Sequence, residues 1–116
     1  MAVSAEYREF VMEQLGRVAP VTSRSMFGGV GVYSDGLFFA LMAGDTLYLK
    51  VDDSNRGDFE AAGTGPFAPF GDPSMVMRYY ELPADLLEDA DALRPWVFKA
   101  IDVARAARRK KPPKKR

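Results

Sequence analysis

The first hydrophobic pattern in the chain has the period of an amphipathic helix. Ser4 is a suitable N-cap, and Gly16 is suited to the C-terminal cap. Between them, apolar residues recur at spacings of three and four, which is typical of a helix that packs one face on a core. This face is formed by Tyr7, Phe10, Val11 and Leu15. The pattern therefore predicts an N-terminal helix.

After Pro20 the period changes from that of a helix to that of β-strands. Apolar and polar residues alternate in several short segments that are joined by short connections. One connection is Asp35-Gly36, a dipeptide that favours the positive φ angles of a two-residue type I′ turn. The predicted strands are residues 21–27, 30–34, 37–42, 46–51 and 75–82. This order predicts an antiparallel meander of about five strands.

Helical patterns return in three places. A short helix is predicted after residues 52–54, with Phe59 and Ala62 facing inward and Gly63 ending it. A brief helical piece follows over residues 83–89. The last helix begins near Leu93 or Arg94 and carries a core-facing stripe that includes Trp96, which we interpret as a core anchor. The fold class is therefore α+β, with N-terminal and C-terminal helices packed on an antiparallel sheet.

Three glycines, Gly28, Gly29 and Gly31, lie close together where the second predicted strand begins. A phosphate-binding loop needs GxxxxGK[ST] or GxGxxG at the start of a helix, and neither spacing occurs here. We therefore expect Gly28 and Gly29 to form a tight turn between two strands. Gly31 is expected where a neighbouring side chain or backbone comes close.

Composition limits the chemistry that remains. The 116 residues suit one domain, and the absence of His and Cys excludes histidine-based triads, zinc fingers and thiol redox centres. The longest apolar run, residues 37–43, is too short to span a membrane, and no leader-like apolar segment occurs at the start. We expect a cytoplasmic protein without cofactor. An enzyme using carboxylate or lysine chemistry is the least favoured hypothesis, since no catalytic group can be identified.

The acidic residues Asp52, Asp53 and Asp58 allow two interpretations. Carboxylates can bind a divalent cation, but the spacing of a calcium loop is absent. Acids near a helix start are also explained by capping and by the helix dipole. We predict no metal site.

Three basic residues, Arg24, Lys50 and Arg78, fall in the middle of predicted strands. If their faces coincide, one side of the sheet presents cations among tyrosines, which suits a carboxylate-bearing peptide or a stacked base. The alternative is that each cation pairs with a nearby acid over an incompletely covered sheet.

Charge is strongly segregated along the chain. Residues 105–116 hold eight Lys or Arg and no acid, so residues 1–104 hold the other eight bases against all 16 acids. The formal charges are thus +8 and −8. We predict a domain over residues 1–104 and a disordered basic tail over 105–116, which is either a solubilising extension or a non-specific nucleic-acid contact. The tail cations are Arg105, Arg108, Arg109, Lys110, Lys111, Lys114, Lys115 and Arg116.

Taken together, these motifs resemble the N-terminal domain of the TfoX/Sxy family. The resemblance extends from about residue 5 to residue 104. Its most specific parts are Arg24 with Met26-Phe27-Gly28-Gly29, then Asp35-Gly36, Tyr48-Leu49-Lys50, Asn55-Arg56, Phe59, Gly65-Pro66-Phe67, Tyr79-Tyr80-Glu81-Leu82-Pro83 and Trp96.

The resemblance implies a compact α+β domain with an antiparallel, secretion-chaperone-like arrangement. It also implies a link to bacterial competence regulators, which are thought to assist the cyclic-AMP receptor protein at promoters. The full regulators carry a second, helical domain that does not match this sequence. The resemblance assigns no catalytic residue, metal or cofactor.

Three hypotheses of function follow. The first is a non-enzymatic domain that binds a protein partner in transcriptional regulation, such as the transcription machinery or a cyclic-AMP-receptor-like regulator. The second is a nucleic-acid binder acting through the basic tail, and the third is the small enzyme. An unpaired strand edge would also suit a homodimer. The residues assigned to partner binding are Arg24, Met26, Phe27, Tyr48, Lys50, Asn55, Arg56 and Arg78.

Overall fold

The computed structural model describes residues 3–26, 28–67 and 78–110. Helix α1, Ala5–Gly16, is capped by Ser4, whose Oγ accepts a hydrogen bond from the Tyr7 backbone N–H at 3.1 Å. The predicted N-cap is thus confirmed. The glycine C-cap was wrong by one residue, because Gly16 is the last helical residue and Arg17 caps the helix in right-handed geometry.

Five antiparallel strands form a single sheet in sequence order, which confirms the predicted meander. They are β1 (Thr22–Met26), β2 (Gly29–Ser34), β3 (Leu37–Ala43), β4 (Thr46–Lys50) and β5 (Tyr79–Glu81). The predicted last strand is shorter at its described end, since Arg78 lies in a bend. Residues 75–77 of that prediction lie outside the described residues.

Both turns that flank β2 have the predicted character. Gly28 has a φ of 79°, and Met26 pairs with Gly29, so the glycine segment connects two strands and does not open a helix. At the other end of β2, Asp35 and Gly36 have φ values of 52° and 77°, as a type I′ turn requires.

The remaining helices differ from the prediction mainly at their ends. Helix α2, Arg56–Ala61, buries Phe59 as predicted, but Ala62 is the exposed C-cap and does not face inward. A 3₁₀ helix, Ala84–Glu88, lies in the predicted helical piece. Helix α3, Ala90–Lys110, begins earlier than predicted, because the Asp89 carboxylate accepts hydrogen bonds from the N–H groups of its first turn.

Helix α3 also continues six residues past the boundary predicted at residue 104. The first half of the predicted disordered tail is therefore helical. Residues 111–116 lie outside the described residues.

The core lies between one face of the sheet and the helices. Helix α3 packs on β3 and β4, and α1 contributes the fully buried Val11 and Leu15. Trp96 is partly buried against this core and meets the Phe59 ring edge-on at 4.9 Å between centroids, which agrees with its predicted anchoring role. Phe10, predicted to face inward, is 38% exposed. In the part of the chain described here, none of the helices combines the length and apolar character that crossing a membrane requires.

Candidate functional site

The face of the sheet opposite the helices, called here the outer face, collects several of the residues predicted to bind a partner. Cross-strand partners point to the same side of a sheet. The register links Arg24 to Gly31, Gly31 to Leu41, and Leu41 to Tyr48 in one row across four strands. By alternation along the strands, Met26 and Lys50 lie on the same face. The condition on which the sequence prediction depended, that these faces coincide, is therefore met for Arg24, Lys50 and Tyr48.

Gly31 lets two side chains cross the middle of the outer face. A Cβ atom built on Gly31 would lie 2.6 Å from Met26 Cε and 3.1 Å from Phe38 Cε1. Met26 and Phe38 therefore meet above β2 in the space that a side chain would fill. This is the close approach that the sequence predicted for Gly31.

A row of aromatic rings occupies the outer face near the β2–β3 turn. Tyr33 stacks on Phe38 at 5.1 Å between centroids, and Phe38 lies 5.5 Å from Tyr79. Lys50 Nζ is 5.0 Å from the Tyr79 ring centroid and donates a long hydrogen bond to its hydroxyl at 3.4 Å. Tyr33 and Phe38 are half-buried, whereas Tyr79 is buried. The row thus has an accessible end and a covered end.

Burial also sets the ionisation of these phenols. Desolvation, with a smaller contribution from Tyr33, raises the pKa of Tyr79 to about 12. Burial and then the Glu81 carboxylate raise the pKa of Tyr48, while a hydrogen bond with Thr46 opposes the change. Tyr48 also contacts the Phe67 ring at 4.8 Å. At neutral pH both phenols are therefore uncharged hydrogen-bonding groups.

Arg78 does not belong to this constellation. It lies in the bend before β5, and the register pairs Tyr79, not Arg78, with Lys50. The prediction that Arg78 occupies the middle of a strand was wrong. Phe27, also assigned to partner binding, lies outside the described residues.

Asn55 and Arg56 have local structural contacts. Asn55 is 2% exposed, accepts a hydrogen bond from the Asp52 N–H and donates one to the Lys50 carbonyl. Arg56 pairs with Asp53, and this hydrogen bond is the main cause of its raised pKa. Asn55 therefore holds the connection between β4 and α2 and presents no surface to a partner.

The acidic residues near α2 are engaged in a local turn and in ion pairs. The Asp52 carboxylate accepts hydrogen bonds from Ser54, and Asp58 pairs with Lys99 at 2.8 Å. Within residues 3–26, 28–67 and 78–110, no group of three or more acidic side chains is arranged to hold a metal ion. The expectation that one of residues 52–54 caps α2 was wrong, because Asn55 is the N-cap and no side chain caps the helix. Asp58 lies in the first turn of α2, where the helix dipole favours a negative charge.

The basic end of α3 lies beside the β2–β3 turn. Arg105 pairs with Asp102 at 2.8 Å, and Arg108 donates a hydrogen bond to the Gly36 carbonyl at 3.0 Å. Arg109 is exposed, and the backbone of Lys110 is helical. Lys111, Lys114, Lys115 and Arg116, also assigned to nucleic-acid binding, lie outside the described residues.

Sequence reasoning missed the aromatic row. The register shifts between Val32 and Tyr33, so Phe38 pairs with Tyr33 while Phe39 is fully buried. Strict alternation from Leu41 and Met42 would put Phe39 on the outer face and Phe38 in the core, which is the reverse of what the structure shows. The only available signal was the high aromatic content of the segments on either side of Asp35-Gly36.

Comparison with known proteins agrees with this architecture. The family model of the TfoX N-terminal domain matches residues 13–104. A comparison with curated proteins finds no match. Because the match covers most of the chain and includes the glycine turn, the sheet and most of α3, the chain belongs to the TfoX N-terminal domain family.

Proposed function

We propose that this domain is a binding module and not an enzyme, and that it contacts another protein through the outer face of its sheet. The observation that carries the proposal is the position of Arg24 and Lys50 on the same face as the half-buried rings of Tyr33, Phe38 and Tyr48. Arginine and tyrosine are the residue types most often responsible for affinity at protein interfaces.

The chemistry of this face favours a partner segment with carboxylates beside apolar side chains. Arg24 is exposed and forms no ion pair with any residue of the described part of the chain. Its planar guanidinium can hold a carboxylate through two hydrogen bonds. The neighbouring rings offer apolar area that loses little conformational entropy on binding.

The proposed setting is transcriptional regulation. Support for it comes from family membership, because the TfoX/Sxy regulators that the sequence resembles are linked to competence and to promoter complexes with the cyclic-AMP receptor protein. The partner is then a component of the transcription machinery or a regulator of that kind.

The test is quantitative affinity capture with the full chain and two charge-reversal variants. Arg24→Glu changes the outer face, whereas Arg17→Glu makes the same charge change after α1, at a side chain that is 61% exposed. We expect R24E to reduce recovery of a specific partner about tenfold or more, since central arginines at interfaces are often worth 2 kcal/mol or more. R17E should bind like the original chain.

Equal recovery with both variants would contradict the use of this face. The capture is repeated after nuclease treatment, so that proteins retained through nucleic acid are recognised as such. A dissociation constant measured with the purified partner then checks that R24E weakens a direct contact.

A further inference from the structure

A groove separate from the outer-face row lies where α1, the β3–β4 turn, β5 and the 3₁₀ helix meet. Its volume is about 230 Å³. The floor is apolar, with the buried Leu47, Leu82 and Leu87, and Phe10 stands at the side with 38% of its surface exposed. The groove is thus large enough for one or two side chains of a partner.

The rim of this groove is acidic. Asp45, Glu81 and Glu88 line it, and among the described residues no Lys or Arg does. In the described part of the chain, no ion pair involves any of these three carboxylates. Asp45 accepts a hydrogen bond from the Ser4 backbone N–H at 3.3 Å. An apolar floor under an acidic rim suits a lysine or arginine side chain, whose stem is apolar and whose end is cationic.

The ionisation of Tyr7 agrees with a negative potential in the groove. Burial is the largest cause that raises its pKa to about 12, and the charges of Asp45 and Glu81 add to it. A phenolate there would be repelled by the same carboxylates that would attract a cation.

We propose that this groove binds the basic segment of residues 111–116 from a second copy of the chain. Charge complementarity supports this occupant: that segment holds three lysines and one arginine without an acid, and residues 1–104 carry a formal charge of −8. The proposal does not depend on the protein partner of the outer face.

The position of the groove favours a second copy over the same chain. Arg108 holds the end of α3 beside Gly36, which precedes the first residue of β3. Asp45 and Thr46, which line the groove, follow the last residue of β3. A strand of this length spans about 20 Å, and six residues reach about 20 Å when fully extended. Within one chain, only the last cation could arrive at the groove. From another copy, several cations can lie along the rim together.

The experiment measures self-association of the full chain by sedimentation velocity. We expect the mean sedimentation coefficient to rise with protein concentration at about 0.02 M salt and to stop rising at about 0.3 M salt, because exposed charges are screened. Removing two rim charges in E81Q/E88Q should weaken association about three- to tenfold, as expected for two exposed ion pairs. The variant K114Q/K115Q should weaken it to a similar degree.

The matched control is E13Q/E60Q, which removes two exposed carboxylates outside the groove and should change association less than twofold. A charge exchange gives a second, independent test. E81K/E88K and K114E/K115E should each associate poorly alone, and mixing them should restore a heterodimer. Thermal melts confirm that all variants are folded.

Several results would overturn the proposal. These are a chain that stays monomeric at low salt, association that E81Q/E88Q leaves unchanged, and association that disappears after nuclease treatment. A monomer whose Tyr7 environment nevertheless changes on tail neutralisation would show that the segment binds its own chain, which also contradicts a second copy as the occupant.

Discussion

Gly29 and Gly31 are two residues apart in β2, yet an added methyl group would meet different kinds of neighbour. At Gly29 the nearest atom would be the Met42 backbone oxygen at 2.5 Å, whereas at Gly31 it would be the terminal Met26 Cε at 2.6 Å. A backbone atom within a sheet cannot move without breaking the strand pairing. The end of a methionine can rotate away.

We therefore predict that Gly29→Ala destabilises the protein more than Gly31→Ala does. G29A should lower the free energy of unfolding by about 1–3 kcal/mol, the usual cost of overpacking, and G31A by less than about 1 kcal/mol. Urea denaturation of both variants checks the difference. A larger loss in G31A would mean that the Met26 and Phe38 contacts are less adaptable than this geometry implies.

At the scale of elements, turn chemistry could be predicted from the sequence and the facing of some side chains could not. Asp35-Gly36 specifies its turn because few residues accept positive φ, and the structure has the predicted geometry there. The register shift at Val32 and Tyr33 has no comparable local cause. It changes which of Phe38 and Phe39 faces the core, so the aromatic row depends on packing across the whole sheet.

The positions of the candidate site residues were also predictable only in part. Alternation along single strands left open whether Arg24 and Lys50 share a face, because the facing of one strand relative to another depends on the register. The observed register places them on one face. Arg78 was predicted in the middle of the last strand, but β5 begins at the next residue, Tyr79. Asn55 was assigned to a surface on the basis of the motif alone, whereas its side chain is consumed by two backbone hydrogen bonds.

Two further glycines provide a matched test of backbone conformation in these elements. Gly36 has a φ of 77°, so Gly36→Ala should cost about 1 kcal/mol. Gly57 lies in α2 with no atom within 4 Å of an added Cβ and no positive φ. Gly57→Ala should therefore raise the free energy of unfolding by about 0.5 kcal/mol, through the lower entropy of the unfolded chain. Chemical denaturation measures both changes. If both variants were stabilised or both destabilised, the backbone conformation described for one of these glycines would be contradicted.

For the whole molecule, the sheet separates two environments. Its inner face and the helices form the apolar core, while the outer face carries rings and cations and the groove near β5 carries carboxylates. Basic and acidic groups are therefore unevenly distributed over one small domain, and Glu81, opposite Tyr48 in the register, joins the acidic rim to the outer face. Such an arrangement favours oriented contacts with other macromolecules over uniform repulsion from them.

Burial of Tyr79 makes the free energy of unfolding depend on pH in the alkaline range. Tyr79 ionises near pH 12 in the folded protein, against about 10 in an unfolded chain. Between these values the unfolded state binds fewer protons than the folded state, so the free energy of unfolding must fall as pH rises. Below about pH 9 the phenol is protonated in both states and contributes no slope.

We predict that Tyr79→Phe removes part of this alkaline slope. The loss from Tyr79 amounts at most to about 1.4 kcal/mol per pH unit between pH 10 and 12, which is the value for one proton. Urea denaturation at half-unit steps from pH 8 to about pH 12 should give a flatter profile for Y79F above pH 10 and parallel profiles below pH 9. Y79F also lacks the hydrogen bond between Lys50 and the Tyr79 hydroxyl. Below about pH 9 this loss shifts the free energy of unfolding by a constant amount and leaves the slope of the profile unchanged. Profiles that stay parallel to pH 12 would show that the phenol is not desolvated, and that solvent reaches the row as far as β5.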